Sequence, residues 1–169
     1  MSARYPAYIA FLFLLIVYSA ETIARNMAWK DETVLWQDVA VKSPNSPRGH
    51  YNLGTIYRET GKMEKAIREW EKTVELSPFY SEANNALGNV ALLRGDYPEA
   101  IHRYGIAIKG NPKNAEAHYN IAITLEKMGK TDEAVFHYRE FIVNAEAGYQ
   151  KVVEKVKTHL MSLRVEKER

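Results

Sequence analysis

The stretch "YNLGTIYRETGKMEKAIREWEKTVELSP", residues 51–78, decides the fold of this chain of 169 residues. It places small residues and one large aromatic residue at helical spacing and ends in a proline. The same residue types return at a constant step of 34 residues, in the series Gly54, Gly88 and Ala122; Ala66, Ala100 and Ala134; Trp36, Trp70, Tyr104 and Tyr138; and Pro44, Pro78 and Pro112. An internal repeat of this period is typical of an array of stacked helical units.

Each unit is predicted to be a pair of helices. Pro47 suits a first helical position after Ser46, and Asp96 with Glu99 has the spacing of a capping box. A glycine at the middle of each unit can end the first helix in a left-handed conformation, at Gly61, Gly95 and Gly129. These signals predict helices over residues 47–60 and 63–77, 81–94 and 97–109, and 115–128 and 131–144.

Packing gives the physical reason for the repeated pattern. The small residues leave room for the partner helix to approach closely, and the large aromatic residues fill the space between neighbouring units. A single pair cannot bury its apolar face, so stacked pairs share one continuous core and leave a concave face. Downstream, apolar residues at helical spacing predict a terminal helix that covers the last unit: Tyr149, Val152, Val153, Val156, Leu160 and Leu163.

The three copies resemble tetratricopeptide repeats over residues 47–146. The matching stretches are residues 51–78, "NALGNVALLRGDYPEAIHRYGIAIKGNP" and "YNIAITLEKMGKTDEAVFHYREFIVNAE". The resemblance implies an all-α, right-handed α-solenoid with three helix pairs, a leading half-repeat within residues 28–46 and a capping helix within residues 147–169. The third copy departs from the pattern at Phe141, where Ala107 shows the small residue expected.

The resemblance also implies where a partner binds. The first helix of each unit lines the concave groove, and the inward positions are Arg48, Tyr51, Thr55, Arg58, Glu82, Asn85, Asn89, Leu92, Glu116, Tyr119, Ile123 and Lys127. The side-chain amides of Asn85 and Asn89 are expected to hydrogen-bond an extended peptide. Relatives that hold a terminal carboxylate use lysines and an arginine, whereas this groove carries Glu82 and Glu116. A merely polar groove surface is the alternative.

The N-terminal segment is predicted to be a transmembrane anchor over residues 1–27. The run "YPAYIAFLFLLIVYSA" contains no charge, and with a few following residues it approaches the length of a membrane-spanning helix. A cleaved signal peptide and a buried helix are the alternatives. The anchor implies a single-pass membrane protein whose repeats are extracytoplasmic, either periplasmic or lumenal.

A narrower resemblance lies in "ARNMAWKDETVLWQDVAVKSPNSPRGHYNLG", residues 24–54. It is similar to the junction before the repeat tail of O-mannosyltransferase-type membrane glycosyltransferases. The catalytic part of those enzymes has no counterpart in this chain. The resemblance implies an alternative function as an accessory subunit of an envelope glycosyltransferase that recruits acceptor proteins.

The remaining residues give little indication of chemistry. No two of the five histidines lie three or four positions apart, and there is no phosphate-binding glycine motif and no cysteine. A net charge of +2 with 26% charged residues does not indicate a basic surface that binds nucleic acid. The sequence therefore predicts a membrane-anchored scaffold that binds a protein partner and is not an enzyme. No cofactor, metal site, nucleic acid or small-molecule substrate is expected.

Overall fold

In the computed structural model the described residues are 4–28 and 32–167, and within them the chain is helical. A short 3-10 turn at Ala147–Tyr149 precedes the last helix. The helices in chain order are α1 (Arg4–Ala28), α2 (Glu32–Lys42), α3 (Pro47–Glu59), α4 (Met63–Leu76), α5 (Ser81–Leu93), α6 (Tyr97–Gly110), α7 (Ala115–Lys127), α8 (Thr131–Asn144) and α9 (Gln150–Lys167).

The helix bounds of the three units agree with the prediction to within one residue. The Ser46 hydroxyl accepts a hydrogen bond from the Gly49 N–H, and the Asp96 carboxylate accepts one from the Glu99 N–H. The other half of the predicted capping box is not formed, because the Glu99 carboxylate accepts from Arg103 Nε and the Asp96 N–H donates to the Ala91 carbonyl. The backbone is left-handed after each first helix, with φ of 74°, 77° and 75° at Gly61, Gly95 and Gly129. At these turns a residue other than glycine would be strained.

The helices form an all-α stack of pairs. α3 packs on α4, α5 on α6 and α7 on α8, and each pair packs on the next. α2 packs against α3 at one end, and α9 packs against α8 at the other. The predicted terminal helix thus covers the last pair, where Val156 is buried and Val152, Val153 and Leu160 are partly buried.

A contact between a small and a large residue recurs in the first two units. A Cβ atom on Gly54 would lie 2.6 Å from the Trp70 ring, and one on Gly88 would lie 2.5 Å from the Tyr104 ring. Ala66, Ala100 and Ala134, on the partner helices, are fully buried. The predicted close approach of the paired helices is therefore confirmed at Gly54 and Gly88, but the rings that they contact belong to their own unit, whereas the aromatic residues were predicted to lie between neighbouring units.

The buried apolar residues form two clusters that meet at α5. The N-terminal cluster consists of Leu53, Tyr57, Ala66, Trp70, Ala86, Leu87 and Val90, with Trp36 of α2 packed against it. The C-terminal cluster consists of Ala91, Ala100, Tyr104, Ala107, Ala115, Ala117, Ile121, Ala122, Leu125, Ala134, Tyr138, Phe141 and Val156. Both clusters therefore take residues from α5, which joins the two ends of the stack.

The structure corrects the predicted anchor and localisation. The uncharged run of α1, residues 5–20, is sixteen residues long and as a helix extends about 24 Å, less than the ~30 Å hydrocarbon core of a bilayer. Within residues 4–28 and 32–167, no helix is long and apolar enough to cross a membrane. The prediction of a single-pass membrane protein with extracytoplasmic repeats is therefore wrong.

Two histidines that are far apart in sequence meet between α7 and α8. The Nδ1 atoms of His118 and His137 lie 3.1 Å apart, and the two rings are in contact. One imidazole must donate and the other must accept, so this hydrogen bond requires at least one neutral ring. Burial lowers the pKa of both imidazoles. The Glu140 carboxylate raises both pKa values and so offsets part of each shift.

We expect both imidazoles to titrate below the ordinary histidine value of 6.5. Because the folded-state pKa values are lowered, the stability that this pair contributes is present above about pH 6.5 and decreases as the pH falls below it. Titration of the ring signals by NMR measures both values, and urea denaturation on either side of this pH tests the sign. A ring of this pair that titrates above 6.5 would contradict the expectation.

Candidate functional site

A cavity of about 230 Å³ lies on one face of the stack and is named the groove cavity. It is formed by α3, α5, α7 and the residues around the end of α8. Its lining residues are Tyr51, Arg58, Glu82, Asn85, Ala86, Asn89, Asn111, Lys113, Asn114, Ala115, Glu116, Asn144, Glu146 and Tyr149. First helices of all three units contribute to it, as the resemblance implied.

The structure brings six of the twelve predicted site residues together in this cavity: Tyr51, Arg58, Glu82, Asn85, Asn89 and Glu116. Tyr119 lines a neighbouring cavity that is described below. Leu92 and Ile123 pack partly buried against the C-terminal cluster. The Thr55 hydroxyl donates to the Tyr51 carbonyl, whereas Arg48 and Lys127 are exposed and line neither cavity.

A network of side-chain amides forms the floor of the groove cavity. The Nδ2 amide of Asn120 donates to Asn85 Oδ1 at 3.1 Å and to Asn89 Oδ1 at 2.9 Å. The Tyr104 hydroxyl donates to the same Asn89 oxygen at 2.7 Å. Asn120 comes from α7 and Tyr104 from α6, so the network fixes the asparagines of α5 from two sides.

This network determines what the two predicted asparagines can offer a ligand. Their acceptor oxygens are occupied by protein donors, while neither Nδ2 group has a hydrogen-bond partner among the described residues. Asn85 is only 5% exposed, yet it lines the cavity. The floor therefore presents hydrogen-bond donors, which suit the carbonyl oxygens of a bound peptide.

Carboxylates and tyrosines surround this floor. Burial raises the pKa of the Tyr51 hydroxyl, and the carboxylates of Glu82 and Glu116 raise it further. Burial also raises the pKa of Tyr149, with Glu116 and Glu146 adding to the shift. Glu116 acts on both tyrosines, and Glu82 and Glu146 each act on one, so three carboxylates contribute negative charge to the groove cavity, which Arg58 offsets in part at Tyr51.

A second cavity, named the end cavity, continues the groove toward the C-terminus. Its volume is about 300 Å³, and its lining residues are Glu116, Tyr119, Asn120, Phe141, Tyr149 and Val152. Aromatic contacts hold its walls, since the Tyr119 and Phe141 rings have centroids 5.0 Å apart. Glu116 and Tyr149 line both cavities, so the two are directly adjacent.

Several residues of this site were not predicted from the sequence. Asn120 is the central donor of the network, and Tyr149 lies in the 3-10 turn that was taken only as part of the cap. The repeat could have indicated Asn120, because Asn120 is the position equivalent to Ala86 one step of 34 residues later. Ala86 follows Asn85 and lines the groove cavity. No comparable signal exists for Tyr149, which lies beyond the last repeat.

Comparison with known families gives three matches within the stack. The family described as "Tetratricopeptide repeat" matches residues 47–80 and, through a second profile of that description, residues 116–145. The family described as "TPR repeat" matches residues 88–129. These segments cover α3, α4, α6, α7, α8 and the second half of α5, while residues 81–87, which include Glu82 and Asn85 of the groove cavity, lie between the matches.

Curated relatives match over most of the same region. "Hsp70-Hsp90 organizing protein 1" from Glycine max is 22% identical over 112 residues, which are 66% of this chain and 20% of the relative. "Protein O-mannosyl-transferase TMTC1" from Mus musculus is 26% identical over 129 residues, which are 76% of this chain and 13% of the relative. The chain thus spans a fifth or less of the length of these two proteins.

The fold is also similar to solved structures. The type III secretion translocator chaperone SycD from Yersinia enterocolitica is 21% identical and superposes with a TM-score of 0.66. The similarity covers 75% of this chain and 89% of SycD. At this identity the likeness shows the shared fold alone.

Proposed function

Because the chain carries tetratricopeptide repeats between residues 47 and 145, we propose that it is a non-catalytic scaffold that binds an extended segment of a protein partner in its groove. The single observation that carries the proposal is the floor of the groove cavity. There Asn85 and Asn89 are held by Asn120 and Tyr104 with their amide donors left unpaired.

Pre-organised donors favour binding of a peptide backbone. An extended segment presents a carbonyl oxygen at each residue, and groups that are already fixed lose little conformational entropy on binding. Tyr51 and Tyr149 stand at the two ends of the cavity and offer aromatic contact area. The relative from Glycine max is named as an Hsp70-Hsp90 organizing protein, which supports a protein as the partner.

Selection of random twelve-residue peptides displayed on phage tests this proposal with the full chain as bait. We expect the selected peptides to bind the variant Asn85→Ala/Asn89→Ala about tenfold more weakly than the wild type, because two hydrogen bonds are lost. Asn45→Ala, in the exposed turn before α3, is the matched control and should leave affinity unchanged. Circular dichroism verifies that each variant is folded.

Two results would overturn the proposal. The first is equal affinity of the selected peptides for the wild type and for a folded double variant, which would place their binding elsewhere. The second is a selection that yields no peptide at all.

An accessory role in glycosyl transfer is the second candidate. It is supported by the 26% identity to the O-mannosyl-transferase from Mus musculus, in which this region corresponds to 13% of the length. In this role the groove would recruit acceptor proteins for a separate catalytic subunit. Crosslinking in the native cell followed by mass spectrometry tests it, and reproducible crosslinks without any glycosyltransferase would exclude it.

A further inference from the structure

We infer that the groove selects a segment in which a basic side chain and an apolar side chain are separated by one residue. The basic side chain lies among the carboxylates of the groove cavity, and the apolar side chain enters the end cavity. This inference rests on the proposed function and adds the chemistry of the partner to it.

The first step is the charge of the groove cavity. Glu82, Glu116 and Glu146 line it together. Among the described residues, none of these carboxylates has a cationic group within 4.0 Å. A ligand cation therefore meets carboxylates that are not already paired.

Two cations, Arg58 and Lys113, line the same cavity and offset only part of this charge, because three carboxylates stand against them. Arg58 Nη2 lies 3.6 Å from Glu59 Oε1, so its guanidinium already has a carboxylate nearby. Lys113 is exposed in the turn between α6 and α7. The rings of Tyr51 and Tyr149 offer cation–π contacts, which favour a lysine or arginine in the cavity.

The second step is an observation independent of the acids. Asn85 is 95% buried, since only 5% of it is exposed, and its Nδ2 group has no partner among the described residues. The Nδ2 atom itself is not enclosed, so it opens to the cavity and is free to donate to a molecule bound there. Its place in the cavity lining directs this donor to a bound molecule, and a peptide carbonyl beside the basic residue would accept from it.

The third step sets the spacing of the two side chains. The end cavity is walled by Tyr119, Phe141 and Val152, which suit an apolar side chain. It shares Glu116 and Tyr149 with the groove cavity, so the two occupants are close neighbours. In an extended segment, side chains two positions apart point to the same face and are roughly 7 Å apart. We therefore assign the shortest spacing that keeps both side chains on one face, in which one residue separates the basic and the apolar position.

Synthetic peptides built on a phage-selected sequence test the inference with the full chain. Fluorescence anisotropy compares four blocked peptides, which carry Lys or Glu at the first position and Leu or Ser two positions later. We expect the peptide with Lys at the first position and Leu two positions later to bind best. Replacing its Lys by Glu should lower the affinity about tenfold. The variant Glu82→Lys/Glu116→Lys should reverse the preference for Lys over Glu. Glu64→Lys, on the exposed start of α4, is a charge-reversal control outside the groove and should preserve it.

The outcomes separate this inference from the proposed function. Suppose that the peptides bind more weakly to Asn85→Ala/Asn89→Ala but prefer Glu over Lys or show no preference. That result overturns the inference and leaves the proposed function standing. A preference for Lys that persists in the folded Glu82→Lys/Glu116→Lys variant also overturns the inference. Reversal in that variant together with loss on replacing Leu supports it. Failure of every peptide to bind overturns both.

Discussion

Phe141→Ala is expected to lower the free energy of unfolding by about 3–5 kcal/mol, the range for removing a buried phenylalanine. The Phe141 side chain is fully buried, and its ring lies 5.0 Å from Tyr119 and 6.0 Å from Tyr149, measured between centroids. The truncation leaves a cavity between α7, α8 and the turn before α9, where the surrounding helices cannot close completely. Urea denaturation at neutral pH measures the change.

Phe136→Ala is the matched control, because Phe136 lies on the same helix and is 58% exposed. Its removal is expected to change the free energy of unfolding by no more than about 0.5 kcal/mol. A comparable loss in both variants would mean that helix α8 responds to substitution in general and that burial of Phe141 is not the cause.

Gly88→Val is expected to lower the free energy of unfolding by about 3 kcal/mol, at the upper end of the cost of overpacking a core. A Cβ atom at this position would lie 2.5 Å from the Tyr104 ring, and that ring is completely buried. The ring can yield only by shifting its hydroxyl away from Asn89. We therefore expect weaker peptide binding in addition to lower thermal stability.

Gly105→Ala, on helix α6, is a control that is expected to raise the free energy of unfolding, whereas Gly88→Val lowers it. A Cβ atom there meets no other atom within 4 Å. Since alanine is favoured over glycine inside a helix, the free energy of unfolding should rise by about 0.5–1 kcal/mol. Thermal denaturation compares the two variants, and a Gly88→Val protein as stable as the wild type would refute the packing argument.

The sequence was sufficient for features that depend on local chemistry and on the repeat. The caps at Ser46 and Asp96 and the three glycine turns follow from residue types at helix ends. The close contacts of Gly54 and Gly88 with aromatic rings follow from the constant step of 34 residues. Each of these features involves one unit at a time, so periodicity and residue type determine it.

Features that join different units were harder to predict. Asn120 of the third unit donates hydrogen bonds to Asn85 and Asn89 of the second unit. These hydrogen bonds depend on the rotation between stacked helix pairs, and the spacing of residues in the sequence does not specify that rotation. The contact of His118 with His137 likewise depends on how α8 faces α7. Ser81 likewise stands at the start of α5, yet its hydroxyl donates to the Ala107 carbonyl of α6 and does not cap its own helix.

The N-terminal segment shows a different limit of sequence reasoning. The anchor was predicted from an apolar composition and from a length that was sufficient only when a few residues after the uncharged run were included, because the run itself is shorter than a bilayer core requires. An apolar composition does not compensate for a helix that is too short to cross the bilayer core. Among the described residues no helix meets both requirements, so the predicted anchor is corrected.

The meeting of the two apolar clusters at α5 has a consequence for cooperativity. Because the N-terminal and C-terminal clusters share only this helix, α2, α3 and α4 can detach together in a sub-global opening while the rest stays folded. A peptide that touches Tyr51 on α3 and Tyr149 beyond α8 would lose its contacts with α3 in that open form. Ligand occupancy would then suppress the opening and make the whole array exchange its amide hydrogens as one unit.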